Sequence, residues 1–155
     1  MTNLVSRVSL MRGRVRDSEP PFRPPWAGSE LEFSRLCDAC GLCREACPEG
    51  IIQRGAGGLP EVAFEDGHCS FCRRCVEACP TGALTIATAD PWPYLARIDD
   101  SCLEARGIVC RLCGEQCEAR AISFKLAVGG RALAEIDAGS CNACGACVGV
   151  CPPSR

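Results

Sequence analysis

Apolar and polar side chains alternate over short stretches of this chain, and each stretch follows a group of cysteines. Ile51-Ile52-Gln53-Arg54 and Glu61-Val62-Ala63-Phe64 flank Gly55-Ala56-Gly57-Gly58, which predicts a hairpin closed by residues that tolerate unusual backbone angles. Ala121-Ile122-Ser123-Phe124-Lys125-Leu126 and Arg131-Ala132-Leu133-Ala134-Glu135-Ile136 flank Gly129-Gly130, and the same reasoning predicts a second hairpin there. Between them, Ala83-Leu84-Thr85-Ile86-Ala87 and Tyr94-Leu95-Ala96-Arg97-Ile98 form a less regular pair of β-like runs, because Pro91 and Pro93 interrupt any ladder.

Helical signals are fewer. Ser29-Glu30-Leu31-Glu32 has the capping-box pattern and predicts a short helix through Leu36. Ahead of it, Pro20-Pro21-Phe22-Arg23-Pro24-Pro25-Trp26 reads as extended chain, since proline fixes its own φ and restrains its predecessor. Leu4, Val8, Met11 and Val15 keep helical spacing among arginines, but so short a segment reads as a mobile basic tail.

The cysteines organise everything else. Their leading members, Cys37, Cys69, Cys102 and Cys141, are 32, 33 and 39 residues apart, and the last gap carries a five-residue insertion. That is an internal repeat. Groups one, two and four are Cys37, Cys40, Cys43 and Cys47; Cys69, Cys72, Cys75 and Cys79; and Cys141, Cys144, Cys147 and Cys151, each ending in proline. This is the bacterial ferredoxin run, in which three closely spaced thiolates embrace one [4Fe-4S] cubane and the fourth cysteine completes the neighbouring one. Crossing the fourth ligands assigns Cys37, Cys40, Cys43 and Cys79 to one cluster and Cys69, Cys72, Cys75 and Cys47 to the other. Gly41 and Gly145 follow the second cysteine of their groups, where backbone must pass close to the inorganic core.

The third group, Cys102, Cys110, Cys113 and Cys117, has a widened first gap and ends in Glu118 instead of proline. A looped-out insertion still presents four thiols, so it is expected to add a fourth cluster to the three of the regular groups, coupled to group four. Structural zinc sites use paired knuckles and have no use for a third evenly spaced cysteine. Disulfides suit an exported chain, and residues 1–25 offer no apolar run of signal-peptide length. A cytoplasmic location is therefore expected, without membrane insertion.

Composition sharpens this picture in two ways. The hydrophobic fraction of 47% includes 16 cysteines, so the remaining apolar content is thin for 155 residues and metal ligation must supply folding free energy. The formal net charge is −2, and clusters held by four thiolates make it more negative, which disfavours nucleic acid as a partner. His68 reads as a solvated loop residue, because each group already supplies four thiols. Arg44, Arg73, Arg74, Arg106, Arg111 and Arg120 stand within or beside the cysteine loops, as surface charge or as a docking rim for an acidic partner. No paired carboxylates, nucleophilic triad, phosphate loop or dinucleotide fingerprint is present, so an enzyme is not expected.

The fold expected is α+β: two tandem dicluster ferredoxin-like modules, residues 29–98 and 99–155, behind a basic, Pro-rich segment, residues 1–28. Beyond the cysteine runs, Arg23-Pro24-Pro25-Trp26-Ala27-Gly28, Ile52-Gln53-Arg54-Gly55-Ala56-Gly57-Gly58-Leu59-Pro60, Cys69-Ser70-Phe71-Cys72 and the widened third group resemble the NapF family, the ferredoxin-type accessory proteins of the periplasmic nitrate reductase system. The resemblance implies a cytoplasmic protein that contacts the precursor of the catalytic subunit and assists its iron–sulfur maturation before export. The alternative is a polyferredoxin relay passing electrons to another oxidoreductase.

Overall fold

The computed structural model describes residues 21–86, 91–127 and 132–154. The helical spacing of Leu4, Val8, Met11 and Val15, the turn at Gly129-Gly130, and Ala87 and Asp90 lie outside them. The chain folds as α+β, with short helices and two antiparallel strand pairs hung on the cysteine loops.

The helix upstream of the first cysteines, α1 (Glu30–Leu36), begins where the capping box places it. Ser29 Oγ accepts from the Glu32 N–H at 3.3 Å and donates to Glu32 Oε2 at 2.7 Å. Its inward side chain is Phe33, only 1% exposed. Helices α2 (Leu42–Glu45) and α3 (Arg74–Glu77) are single turns that carry the third cysteine of groups one and two, and they pack on each other. In the second half α4 (Leu112–Glu115) and α5 (Ala146–Gly149) repeat that arrangement.

The first hairpin pairs β1 (Ile52–Arg54) with β2 (Pro60–Val62), in the register Ile52 to Val62, Gln53 to Glu61 and Arg54 to Pro60. It is shorter than the alternation predicts and starts its second strand on a proline, which is tolerated at a strand's first residue. The other hairpin pairs β3 (Ile122–Leu126) with β4 (Ala132–Ile136), matching the expected runs, with Ile122 opposite Ile136 and Lys125 ion-paired to Glu135 across the strands.

The weak middle hairpin does not form among the described residues. Its backbone groups are taken by the Pro-rich segment instead: Thr85 N–H donates to the Trp26 carbonyl at 3.0 Å, and Trp26 N–H donates to the Pro91 carbonyl at 2.9 Å. Val62 N–H donates to the Phe22 carbonyl at 2.7 Å, so residues 22–26 run between the first hairpin and Thr85 and Pro91. They are part of the core. Pro24 and Pro25 are fully buried, and Arg23 is 7% exposed. The Arg23 guanidinium bonds both carboxylate oxygens of Glu30 at 2.7 and 2.8 Å, donates to the Pro60 carbonyl at 3.0 Å and lies over the Phe33 ring. A bidentate arginine pair of this kind is stronger and more directional than a lone contact.

Around this strap gather Phe22, Phe64, Phe71, Trp92 and Tyr94. Phe22 stacks on Trp92 at 5.1 Å between ring centroids, and Trp92 Nε1 donates to the Arg23 carbonyl at 2.9 Å. The same cluster ties the halves together. Ala143 belongs to the core of the first half, Cys69 N–H donates to the Cys144 carbonyl at 2.8 Å, and the Phe64 ring lies against Gly145.

Candidate metal centres

Each regular cysteine loop depends on left-handed backbone. The residue before the second cysteine has positive φ in groups one, two and four: Ala39 at 60°, Phe71 at 53° and Ala143 at 58°. So does the residue after the second cysteine, Gly41 at 84°, Arg73 at 66° and Gly145 at 84°. Two such residues per loop curl the chain so that three thiols share one side. Glycine suits the second position, and Arg73 adopts it at a steric cost.

Side-chain caps hold the first gap. Asp38 Oδ1 accepts from Cys40 N–H at 3.1 Å, and Asn142 Oδ1 accepts from Cys144 N–H at 3.2 Å. These are Asx turns, in which a short polar side chain stands in for a backbone carbonyl. Group three has no left-handed residue on either side of its second cysteine, Cys110, and the widened loop turns at Gly107 instead. Its cap comes from inside the insertion: Glu104, 5% exposed, accepts from Cys110 N–H at 2.6 Å. Sequence reasoning missed Glu104, although an acidic residue just after a leading cysteine, as in Cys37-Asp38, is a usable signal.

The thiols come together across the groups. Cys37, Cys40 and Cys43 line one hollow with Cys79, and Cys69, Cys72 and Cys75 line a second with Cys47. In the other half Cys141, Cys144 and Cys147 line a third with Cys117, while Cys102, Cys110 and Cys151 surround Cys113. All sixteen cysteines are thus gathered into four quartets, and none is in a disulfide. The quartets ring hollows instead of converging on a point: among the described residues no three His, Cys, Asp or Glu side chains meet as the ligands of a single ion. That spacing suits a polynuclear group.

Burial dominates the electrostatics of these thiols. It pushes Cys75 up to about 12 and Cys43, Cys69 and Cys147 up to about 11, with neighbouring cysteines adding to the effect. A buried thiolate without a counter-charge is unfavourable, so these sites call for cationic metal. Cys79 differs. Burial opposes its ionisation, but the N–H groups of Leu84, Thr81 and Ala83 and the Thr81 hydroxyl, 3.6 Å from Sγ, hold it below the ordinary thiol value. N–H groups also reach sulfur from Phe71 to Cys69 at 3.4 Å and from Ala121 to Cys117 at 3.3 Å. Donors of this kind stabilise metal-bound thiolates.

Among the described residues one buried side-chain polar atom has no partner. Trp26 Nε1 is buried without a hydrogen-bond partner, and Trp26 lines the hollow of the Cys47, Cys69, Cys72 and Cys75 quartet. His68 lines none of the three hollows above and faces a cleft with Glu65, Asp66 and Gln116. No helix among the described residues is long and apolar enough to cross a membrane.

The comparisons with known proteins agree with this architecture. A 4Fe-4S dicluster domain family matches residues 36–83, which span groups one and two, and again residues 107–154, which begin after Cys102 and hold the other seven cysteines of groups three and four. The chain is 39% identical to the ferredoxin-type protein NapF of Escherichia coli (strain K12) over 149 residues, covering 96% of this chain and 91% of that protein. It is 38% identical to the NapF of Haemophilus influenzae, over 95% of this chain and 84% of that one. A methylamine utilization ferredoxin-type protein, MauM of Methylophilus methylotrophus, is 42% identical over 50 residues, 29% of this chain and 22% of MauM. No solved structure matches significantly. With similarity to NapF running almost end to end and a dicluster domain in each half, the chain belongs to the NapF family of ferredoxin-type iron–sulfur proteins.

Proposed function

We propose that the sixteen cysteines ligate four [4Fe-4S] clusters, two in each module, and that the loaded protein assists maturation of the catalytic subunit of a periplasmic nitrate reductase while that subunit is still a cytoplasmic precursor. The observation that carries the first half of this reading is the crossed gathering of thiols, with Cys79 beside Cys37, Cys40 and Cys43, and Cys151 beside Cys102, Cys110 and Cys113. Family membership carries the second. When bound, the clusters supply one-electron redox chemistry at potentials set by hydrogen bonds and exposure. The chain's own residues hold them, exclude water through the aromatic cluster, and direct N–H groups at the sulfurs.

The module division at 29–98 and 99–155 belongs to this proposal, and so does a cytoplasmic location. So does a role outside enzymatic catalysis. Anaerobic assay of iron and acid-labile sulfide per chain should give about sixteen of each for four cubanes; about twelve would remove the third group from the set. The maturation role predicts that the tagged protein captures the precursor but not the mature catalytic subunit. Equal capture of both would reject it.

A second reading, an electron relay, is favoured by the Cys69 to Cys144 hydrogen bond at 2.8 Å, which brings the quartets of the two halves against each other. It expects clusters that survive repeated reduction and reoxidation without passing to an apo-acceptor.

A further inference from the structure

The buried indole of Trp26 belongs to no cysteine motif, yet three independent features fix it beside the second quartet. Its backbone is left-handed, with φ 62°, a region that bulky residues enter only when the surroundings enforce it. Two hydrogen bonds do so, from Thr85 N–H to its carbonyl and from its N–H to the Pro91 carbonyl. The residue is 7% exposed and lines the same hollow as Cys47, Cys69, Cys72 and Cys75. Nε1 is the one buried side-chain nitrogen or oxygen without a partner among the described residues. Native proteins rarely leave such a donor unsatisfied. Trp92, the other tryptophan, has its indole N–H satisfied by the Arg23 carbonyl at 2.9 Å.

If Trp26 served only to fill space, its N–H would be a liability and phenylalanine would do better. We infer that the Trp26 Nε1–H donates a hydrogen bond to a sulfur of the cluster held by Cys47, Cys69, Cys72 and Cys75, making the Pro-rich strap a potential-setting element for that cluster. The inference rests on the proposed ligation. A donor facing anionic sulfur favours the more negative, reduced state, so removing it lowers the midpoint potential. A bond of this class changes the reduction equilibrium by about tenfold, which is about 59 mV for one electron.

The test is anaerobic potentiometric titration of the loaded full chain, monitored by electron paramagnetic resonance, for the unsubstituted protein and Trp26→Phe. Iron per chain is measured on every sample. Trp26→Phe should lower one midpoint by about that amount and leave the others in place. Unchanged midpoints in fully loaded Trp26→Phe would overturn the inference and leave the ligation standing; an iron-free unsubstituted protein would overturn the ligation itself. Pulsed resonance on unsubstituted protein labelled with ¹⁵N at the indole needs no variant. Hyperfine coupling from nitrogen to a reduced cluster is expected, and its absence in fully loaded protein would reject the bond.

Discussion

Replacing Glu104 with leucine isolates what holds the irregular third loop in shape. The carboxylate is 5% exposed and accepts the Cys110 N–H at 2.6 Å, a short charge-assisted bond of a class that contributes about 1.5–3 kcal/mol. Cys110 is itself only half-buried, so water can partly replace the acceptor and the lower end applies, about 1.5 kcal/mol. That corresponds to roughly a tenfold rise in the fraction of molecules whose loop has opened. Leucine keeps the bulk but offers no acceptor, whereas glutamine keeps an oxygen. Under anaerobic chelator challenge, Glu104→Leu should release about four irons per chain roughly tenfold faster than the unsubstituted protein, and Glu104→Gln should stay close to it. The quartet of Cys117, Cys141, Cys144 and Cys147 lies in a different hollow and should keep its metal. Release from Glu104→Leu at the unsubstituted rate would show that the insertion needs no cap, and the account of this loop would be wrong.

Crossing makes a second prediction: Cys79→Ser should perturb the resonance of the cluster proposed at Cys37, Cys40 and Cys43, and Cys47→Ser that of the other, while the reverse pattern would mean each loop serves its own cluster. Gly145→Ala drives a methyl into the Phe64 ring at a φ of 84°, so it should cost at least the 1–2 kcal/mol, roughly, of the left-handed backbone alone, seen as a lower midpoint in thermal melts of loaded protein. Complete iron removal should abolish the cooperative far-UV melt, because the quartets then contribute no binding free energy to folding; a retained transition would contradict this. Burial raises the Cys43, Cys69, Cys75 and Cys147 thiols in the folded arrangement to about 11–12, so protons compete with metal throughout the neutral range. Reconstitution at pH 8.5 should therefore capture iron more tightly than at pH 6.5, and equal capture would mean the thiols ionise freely.

Local features were legible wherever a few neighbouring residues decide the outcome. The helix behind Ser29 forms because its cap lies within three residues, and the strands around Ile122 and Ile136 follow from alternation. The spacing of the regular loops is local in the same sense. What escaped depends on partners distant in sequence. The middle hairpin does not form among the described residues because Trp26, about 60 residues upstream, takes the backbone groups of Thr85 and Pro91, and no periodicity within residues 83–98 encodes that competitor. The Pro-rich segment read as extended, but it turns at Pro25 and Trp26, where Trp26 takes a φ of 62°, and its burial follows from Arg23 reaching Glu30 and Pro60. The packing of Phe64 on Gly145 joins two repeats that look independent along the chain.

The exchange of final cysteines between loops also sets the grain at which this fold can be cut or copied. A fragment carrying residues 36–68 would keep three thiols of one set and a stray fourth belonging to its neighbour, incomplete on both counts. The smallest heritable cassette is therefore a pair of loops. The family match over 36–83 follows that grain, and so should any shortened chimera meant to hold metal.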